Sequence, residues 1–169
     1  QLNTFCMDAF QKFGFSESEA RIISDVLLLS DLYGIESHGM QRLVRYHKGI
    51  EKGMIDVHAK PEIVHETPVS AVIDAHDAMG QLVSHQAMEL AIEKAKKTGM
   101  AIVSVRNSNH FGIAGYYAKM ACDQGLVGMA MTNSEAIMVP TYARMAMIGS
   151  NPIALAVPAE PYPFFFDAS

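Results

Sequence analysis

Residues 100–132 read MAIVSVRNSNHFGIAGYYAKMACDQGLVGMAMT. The opening MAIVSVR is a short apolar run rich in β-branched residues, of the kind that lies inside a sheet, and the closing LVGMAMT is another. Between them, GIAGYYAKMACDQG carries apolar residues at helical intervals and ends on Gly125, a natural helix stop. The spacing predicts strand–helix–strand with both strands buried, and therefore an α/β chain.

Upstream, Gly80 to Thr98 keeps a helical period through Leu82, Val83, Ala87, Leu90, Ala91 and Ala95, and Gly99 stands at a C′ position. PEIVHE and SAVIDA, joined by TPV, read as two short paired strands. Before residue 57 the texture is helical. Ser16 and Glu19 have capping-box spacing at the head of an amphipathic helix that finishes at Gly34. MQRLVRYHKGIEKG then puts Leu43, Tyr46 and Ile50 on one stripe and stops near Gly53. Downstream, NPIALAVPA and FFFD add one or two further strands separated by proline-rich turns. A helical part, 1–56, thus precedes an α/β part, 57–169.

Composition restricts the classes of function. Of 169 residues half are apolar, enough for a sizeable core. Thirteen Lys and Arg against 18 Asp and Glu give a net charge of −5, so no nucleic-acid surface is expected. Cys6 and Cys122 are far apart and have no metal-ligand spacing, which fits buried thiols in a reducing compartment. With no apolar run of spanning length and no signal-like N-terminus, the expectation is a cytoplasmic protein without a membrane partner. Gln1 follows no initiator Met and FFFDAS ends without a turn or cap, so the sequence reads as truncated.

No GxGxxG follows either apolar run, and there is no GxxxxGK[ST], so a standard Rossmann or P-loop site is not expected. GxSxG is absent too. His47, His58, His65, His76 and His85 show no HExxH and lie on different expected elements, and no metal site is assigned.

Two polar clusters remain. His110 follows an expected strand, where ligands commonly bind in open α/β sheets. Equally, Asn107, Ser108 or Asn109 could cap the following helix, leaving His110 to fill its first turn, with Gly112 and Gly115 there only for close packing. ESHGMQR sets Ser37 and His38 one helical turn before Arg42. A guanidinium clamps a carboxylate and an imidazole exchanges a hydroxyl proton, yet a capped helix start with a surface Arg is the simpler account of those residues. Ser134 and Asn151 precede prolines, and turn formation explains both.

SHGMQRLVRY, NSNHFGIAGYYA, TNSEAIMVP, IGSNPIALAVPA and FFFDAS, in this order, resemble the malate/L-lactate dehydrogenase family that does not use a Rossmann domain. That group includes ureidoglycolate and sulfolactate dehydrogenases and diketogulonate reductase. The resemblance implies a non-Rossmann α/β nucleotide-binding domain, NAD or NADP as hydride carrier, a small 2-hydroxy or 2-oxo acid substrate such as malate or lactate, and a homodimer. It makes 1–56 a substrate and dimerisation region and 57–169 the first part of the NAD(P)-binding domain. It implies that His110 and His38 are acid/base groups, that Arg42 holds the substrate carboxylate, and that Ser37 and Tyr46 line the pocket. Ser134, Asn151, Asp167, Ala168 and Ser169 fall at positions similar to cofactor contacts. The departure is the missing second half of the family pattern, with its lysine-containing cofactor segment. Alternatives are a cyclic imine-acid reductase, as in the related piperideine-carboxylate reductases, and a truncated, non-catalytic dimerisation partner.

Overall fold

The computed structural model describes residues 1–168; Ser169, one of the expected cofactor contacts, lies outside the described residues. The chain falls into two compact units, 1–112 and 113–169. The change of texture after residue 56 lies inside the first of them.

The first unit opens with α1 (Leu2–Lys12) and α2 (Glu17–Leu32). Ser16 and Glu19 form the expected capping box: the Ser16 hydroxyl accepts from the Glu19 N–H, and the Glu19 carboxylate accepts from the Ser16 N–H at 2.8 Å. Two 3₁₀ turns, Glu36–His38 and Met40–Arg42, lead into α3 (Leu43–Glu51). The Leu43–Tyr46–Ile50 stripe packs on a core that includes Cys6, Phe10, Ile23, Leu27 and Met79. Burying such side chains stabilises the fold by roughly 1.5–3 kcal/mol each.

Strands β1 (Glu62–Thr67) and β2 (Ser70–Asp74) form the expected antiparallel pair, and α4 (Gly80–Thr98) carries the chain to β3 (Ile102–Arg106), parallel to β2. The sheet order is β1-β2-β3. In the second unit, α5 (Ala114–Cys122) precedes β4 (Gly128–Met131), β5 (Ile153–Val157) and β6 (Phe164–Asp167), an antiparallel sheet of order β4-β5-β6. Ala118 and Ala121 on α5 and Ala154 and Ala156 on β5 are buried, small enough for the helix to lie close on the strands.

The expected strand–helix–strand order is present as β3, α5 and β4, although β3 and β4 belong to different sheets and different units, and the parallel strand–helix–strand pair is β2–α4–β3. One expectation is corrected: MAIVSVR and LVGMAMT are not buried strands. Each ends as an edge strand with a single partner: Val103 and Val105 pack inward while Ile102, Ser104 and Arg106 are exposed, and Met129 and Met131 are exposed on β4. An apolar run with period-2 burial is indistinguishable from a buried one when both sets of positions are hydrophobic.

Candidate active site

The loop after β3 places His110. Asn107 takes a left-handed backbone (φ 53°), and its Nδ2 donates to both oxygens of Asp74 at 3.0 Å, beside Arg106 Nε at 2.8 Å from Oδ2. The hydrogen bond from Asn107, aided by the His76 N–H and by Arg106, holds the Asp74 carboxyl below the usual range. Asn109 Nδ2 donates to the carbonyls of Asp77 and Ala78 at 2.9 and 3.2 Å. The two asparagines therefore tie the loop back to the end of β2 and to the turn that follows it.

Neither asparagine caps a helix, and Ser108 does not either. Helix α5 begins at Ala114 with Ile113 at its N-cap, and the Asp167 carboxylate accepts the Gly115 N–H at 2.7 Å. The capped-helix account of His110 is overturned, because the loop spends its polar side chains on β2 and its turn. ESHGMQR is likewise no capped helix start: α3 begins at Leu43 with no side-chain cap on it, and the preceding residues form 3₁₀ turns held by Asp31, whose Oδ2 accepts the Met40 N–H at 2.9 Å.

His110 meets two of the expected site residues, Tyr46 and His38. Its Nδ1 lies 2.8 Å from the Tyr46 hydroxyl, and the Gly112 N–H donates to the same nitrogen at 3.3 Å. Gly112 has φ +83° and a Cβ there would stand 2.4 Å from Val26, so glycine is required for this return. The His38 ring stacks on His110 with centroids 5.3 Å apart and planes at 25°. His38 Nδ1 is 2.9 Å from the Ser37 hydroxyl, and Arg42 Nε donates to the Ser37 carbonyl. Ser37, His38, Arg42, Tyr46 and His110 thus assemble within one unit from two stretches of sequence, 37–46 and the loop after β3.

The protonation state follows. Burial, then the charges of Arg42, His38 and Arg45, depress His110 to about 3. Burial also raises the Tyr46 phenol, against the opposing influence of Gln81, Arg42 and Arg45. A backbone N–H can only donate, so Nδ1 of His110 accepts, the Tyr46 hydroxyl also donates to it, and the ring proton sits on Nε2. The arrangement is a neutral imidazole presenting an N–H donor, with a guanidinium nearby.

The residues expected at the cofactor lie in the second unit. The Ser134 N–H donates to Asn151 Oδ1 at 3.0 Å and the Asn151 N–H to Ser134 Oγ at 3.4 Å, a reciprocal pair at the foot of the 133–151 segment. The Asp167 carboxylate is bound to α5, and the Ala168 N–H donates to the Ile153 carbonyl at 3.1 Å. Among the described residues no cluster of His, Cys, Asp or Glu could hold a metal ion, and no helix is long and apolar enough to cross a membrane.

The residue that sequence reading missed is Gln81, in the first turn of α4. It is fully buried beside Tyr46, yet neither amide atom reaches hydrogen-bond geometry with any described residue. Leaving such an amide unpaired costs on the order of 1–3 kcal/mol per group. The only signal in the sequence is a glutamine inside the apolar run MGQLV, immediately after Gly80.

The family model described as malate/L-lactate dehydrogenase matches residues 1–169. A malate dehydrogenase of Pyrococcus abyssi is 49% identical over 167 residues, covering 99% of this chain and 46% of that protein. An L-sulfolactate dehydrogenase of Methanocaldococcus jannaschii is 43% identical over 95% of this chain and 47% of its own length. Among solved structures, malate dehydrogenase from Pyrococcus horikoshii superposes with TM-score 0.95 at 47% identity, covering 98% of this chain and 48% of that one. A Δ1-piperideine-2-carboxylate reductase from Pseudomonas syringae gives 0.89 at 30% identity, with coverage of 99% and 51%. The chain spans about half the length of the curated relatives it matches. Sequence and architecture agree over its whole length, and the chain belongs to the malate/L-lactate dehydrogenase family.

Proposed function

We propose that this chain supplies the proton-transfer and substrate-orienting residues of an NAD(P)-dependent 2-hydroxy-acid dehydrogenase. One observation carries the reading: a neutral His110 whose Nδ1 is occupied by Tyr46 and Gly112, leaving an N–H donor at Nε2 beside His38 and Arg42. The names of its relatives, malate and sulfolactate dehydrogenases, support the same substrate class.

In the reducing direction, His110 Nε2–H donates to the keto oxygen of a 2-oxo acid as negative charge builds there. A neutral imidazole suits this role because its proton affinity approaches that of the forming alkoxide more closely than an imidazolium's would. Arg42, with its Nε anchored on the Ser37 carbonyl, keeps its terminal nitrogens for the substrate carboxylate. His38, half-buried and hydrogen-bonded to Ser37, is the second proton carrier. In oxidation the path reverses: His110 Nε2 takes the hydroxyl proton as its own ring proton passes to His38, and in reduction His38 returns a proton to it, so His110 stays neutral throughout.

The second unit suits a nicotinamide nucleotide in its donor set. Thr132, Asn133 and Asn151 rim an open depression lined also by Met131, Pro152 and Ile153, a mixture of amide and hydroxyl groups with apolar surface. Ser134 and Asn151 are the residues that would hold it, with Asp167 and Ala168 fixing the end of β6. When bound, NAD or NADP supplies the hydride acceptor or donor. The homodimer and cytoplasmic location expected from the sequence belong to the same reading, and the two free, buried cysteines are consistent with a reducing compartment.

Reduction of a cyclic imine acid is the second reading, favoured by the likeness to the piperideine-carboxylate reductase. Assays with 2-oxo acids against a cyclic imine acid, with NADH and NADPH tested separately, discriminate the two. Preference for the imine by about tenfold or more in kcat/KM would replace the first reading by the second.

A further inference from the structure

We propose that Gln81 is a positioning residue: its carboxamide donates to the Tyr46 hydroxyl oxygen, committing the phenol's own proton to His110 Nδ1 and thereby fixing the ring proton on Nε2. The inference rests on the proton-transfer role of His110 proposed above and extends it by one residue.

Gln81 and Tyr46 have complementary vacancies. Gln81 is fully buried in the first turn of α4, and its Nε2 donors are unspent. Tyr46, 1% exposed, hydrogen-bonds His110 through its hydroxyl at 2.8 Å, which leaves a lone pair of that oxygen for a donor. A buried amide calls for an acceptor, and the Tyr46 hydroxyl beside it offers one. The start of α4 also lies close against the histidine loop: a Cβ on Gly80 would lie 2.3 Å from the Asn109 carbonyl oxygen and 2.5 Å from that of His110. The backbone that carries Gln81 therefore runs next to the loop that carries His110.

Direction matters in this chain of bonds. A phenol that accepts from Gln81 has its proton free to give, and Nδ1 already accepts from the Gly112 N–H, so donation by Tyr46 is the arrangement without a clash of protons. Without the amide, the Tyr46 hydroxyl turns more freely, and only the long 3.3 Å bond from the Gly112 N–H still opposes the Nδ1–H form of His110. In that form Nε2 is an acceptor, the wrong partner for a keto oxygen.

The test is the tautomer of His110, read by long-range proton–nitrogen correlation NMR on the ¹⁵N-labelled protein, with its resonances assigned by their absence in His110→Gln. Expected is a pyrrole-type Nε2 and a pyridine-type Nδ1 in the unmodified protein. In Gln81→Met and Gln81→Leu the Nδ1–H share rises by about tenfold relative to Nε2–H, the turnover rate with a 2-oxo acid falls by a similar factor, and KM stays within about twofold. Tyr46→Phe reproduces the tautomer change, and adding it to Gln81→Met brings little more. An Nδ1–H tautomer in the unmodified protein overturns the proposal, and so does an unaltered tautomer in either folded Gln81 variant. A tautomer that responds to Gln81 in a protein without nicotinamide turnover supports the positioning role and removes the dehydrogenase reading instead.

Discussion

At the scale of single residues, acid titration reports whether His110 is held neutral. Its folded pKa is depressed from 6.5 to about 3 while the unfolded chain keeps the ordinary value, so the unfolded state binds the extra proton between those limits. Stability from this group is intact above pH 6.5 and is lost as pH falls toward 3. Urea titrations across that window should show His110→Gln with a pH slope shallower than the unmodified protein's by about 1 kcal/mol per pH unit. Equal slopes would mean that His110 titrates normally. His110 and Arg42 were legible as candidates in NSNHF and ESHGMQR, but local sequence offered capping as an equal or simpler account. What decided against capping is long-range: Asn107 reaches Asp74 across 33 positions, and Tyr46 reaches His110 across 64. Gln81 was not legible at all, since only the absence of a partner in three dimensions makes a buried glutamine conspicuous.

At the scale of elements, the boundaries written in caps and glycines could be read directly. Ser16–Glu19 and Gly99 mark helix ends where the sequence put them, because each signal acts within one turn of its own residue. Partnership of strands could not be read, since β3 and β4 share a run of apolar residues but pair in different sheets. Two substitutions separate stability from function here. Ser16→Ala removes a cap distant in sequence from the site, so it should lower stability by about 1 kcal/mol and leave turnover unchanged, as denaturant melts and assays would show. Gly80→Ala forces a methyl against the carbonyl oxygens of Asn109 and His110, both backbone atoms that cannot rotate away. It should cost roughly 1–3 kcal/mol and depress turnover together, because the strain falls on the histidine loop. Wild-type turnover in a folded Gly80→Ala protein would show that the start of α4 does not position that loop.

At the scale of the whole molecule, the catalytic candidates and the cofactor candidates belong to different compact units, joined at the Gly112–Ile113 step. His110 stands two residues before that step and Gly115, the helix-capping partner of Asp167, two after it. The helical and α/β textures of the sequence foretold the fold class, and the resemblance foretold the family. The unit boundary was invisible, because it falls within the longest continuous run of expected strand, loop and helix rather than at a change of composition. The most direct measurement follows nicotinamide absorbance with the full-length protein, a panel of 2-oxo acids, and NADH and NADPH separately. Turnover of at least one 2-oxo acid is expected, with a loss of about 10²–10⁴-fold in His110→Ala. Unchanged turnover in a folded His110→Ala protein, or none in the folded unmodified protein with any acid and either cofactor, would contradict the assignment of His110 to proton transfer in a 2-hydroxy-acid dehydrogenase.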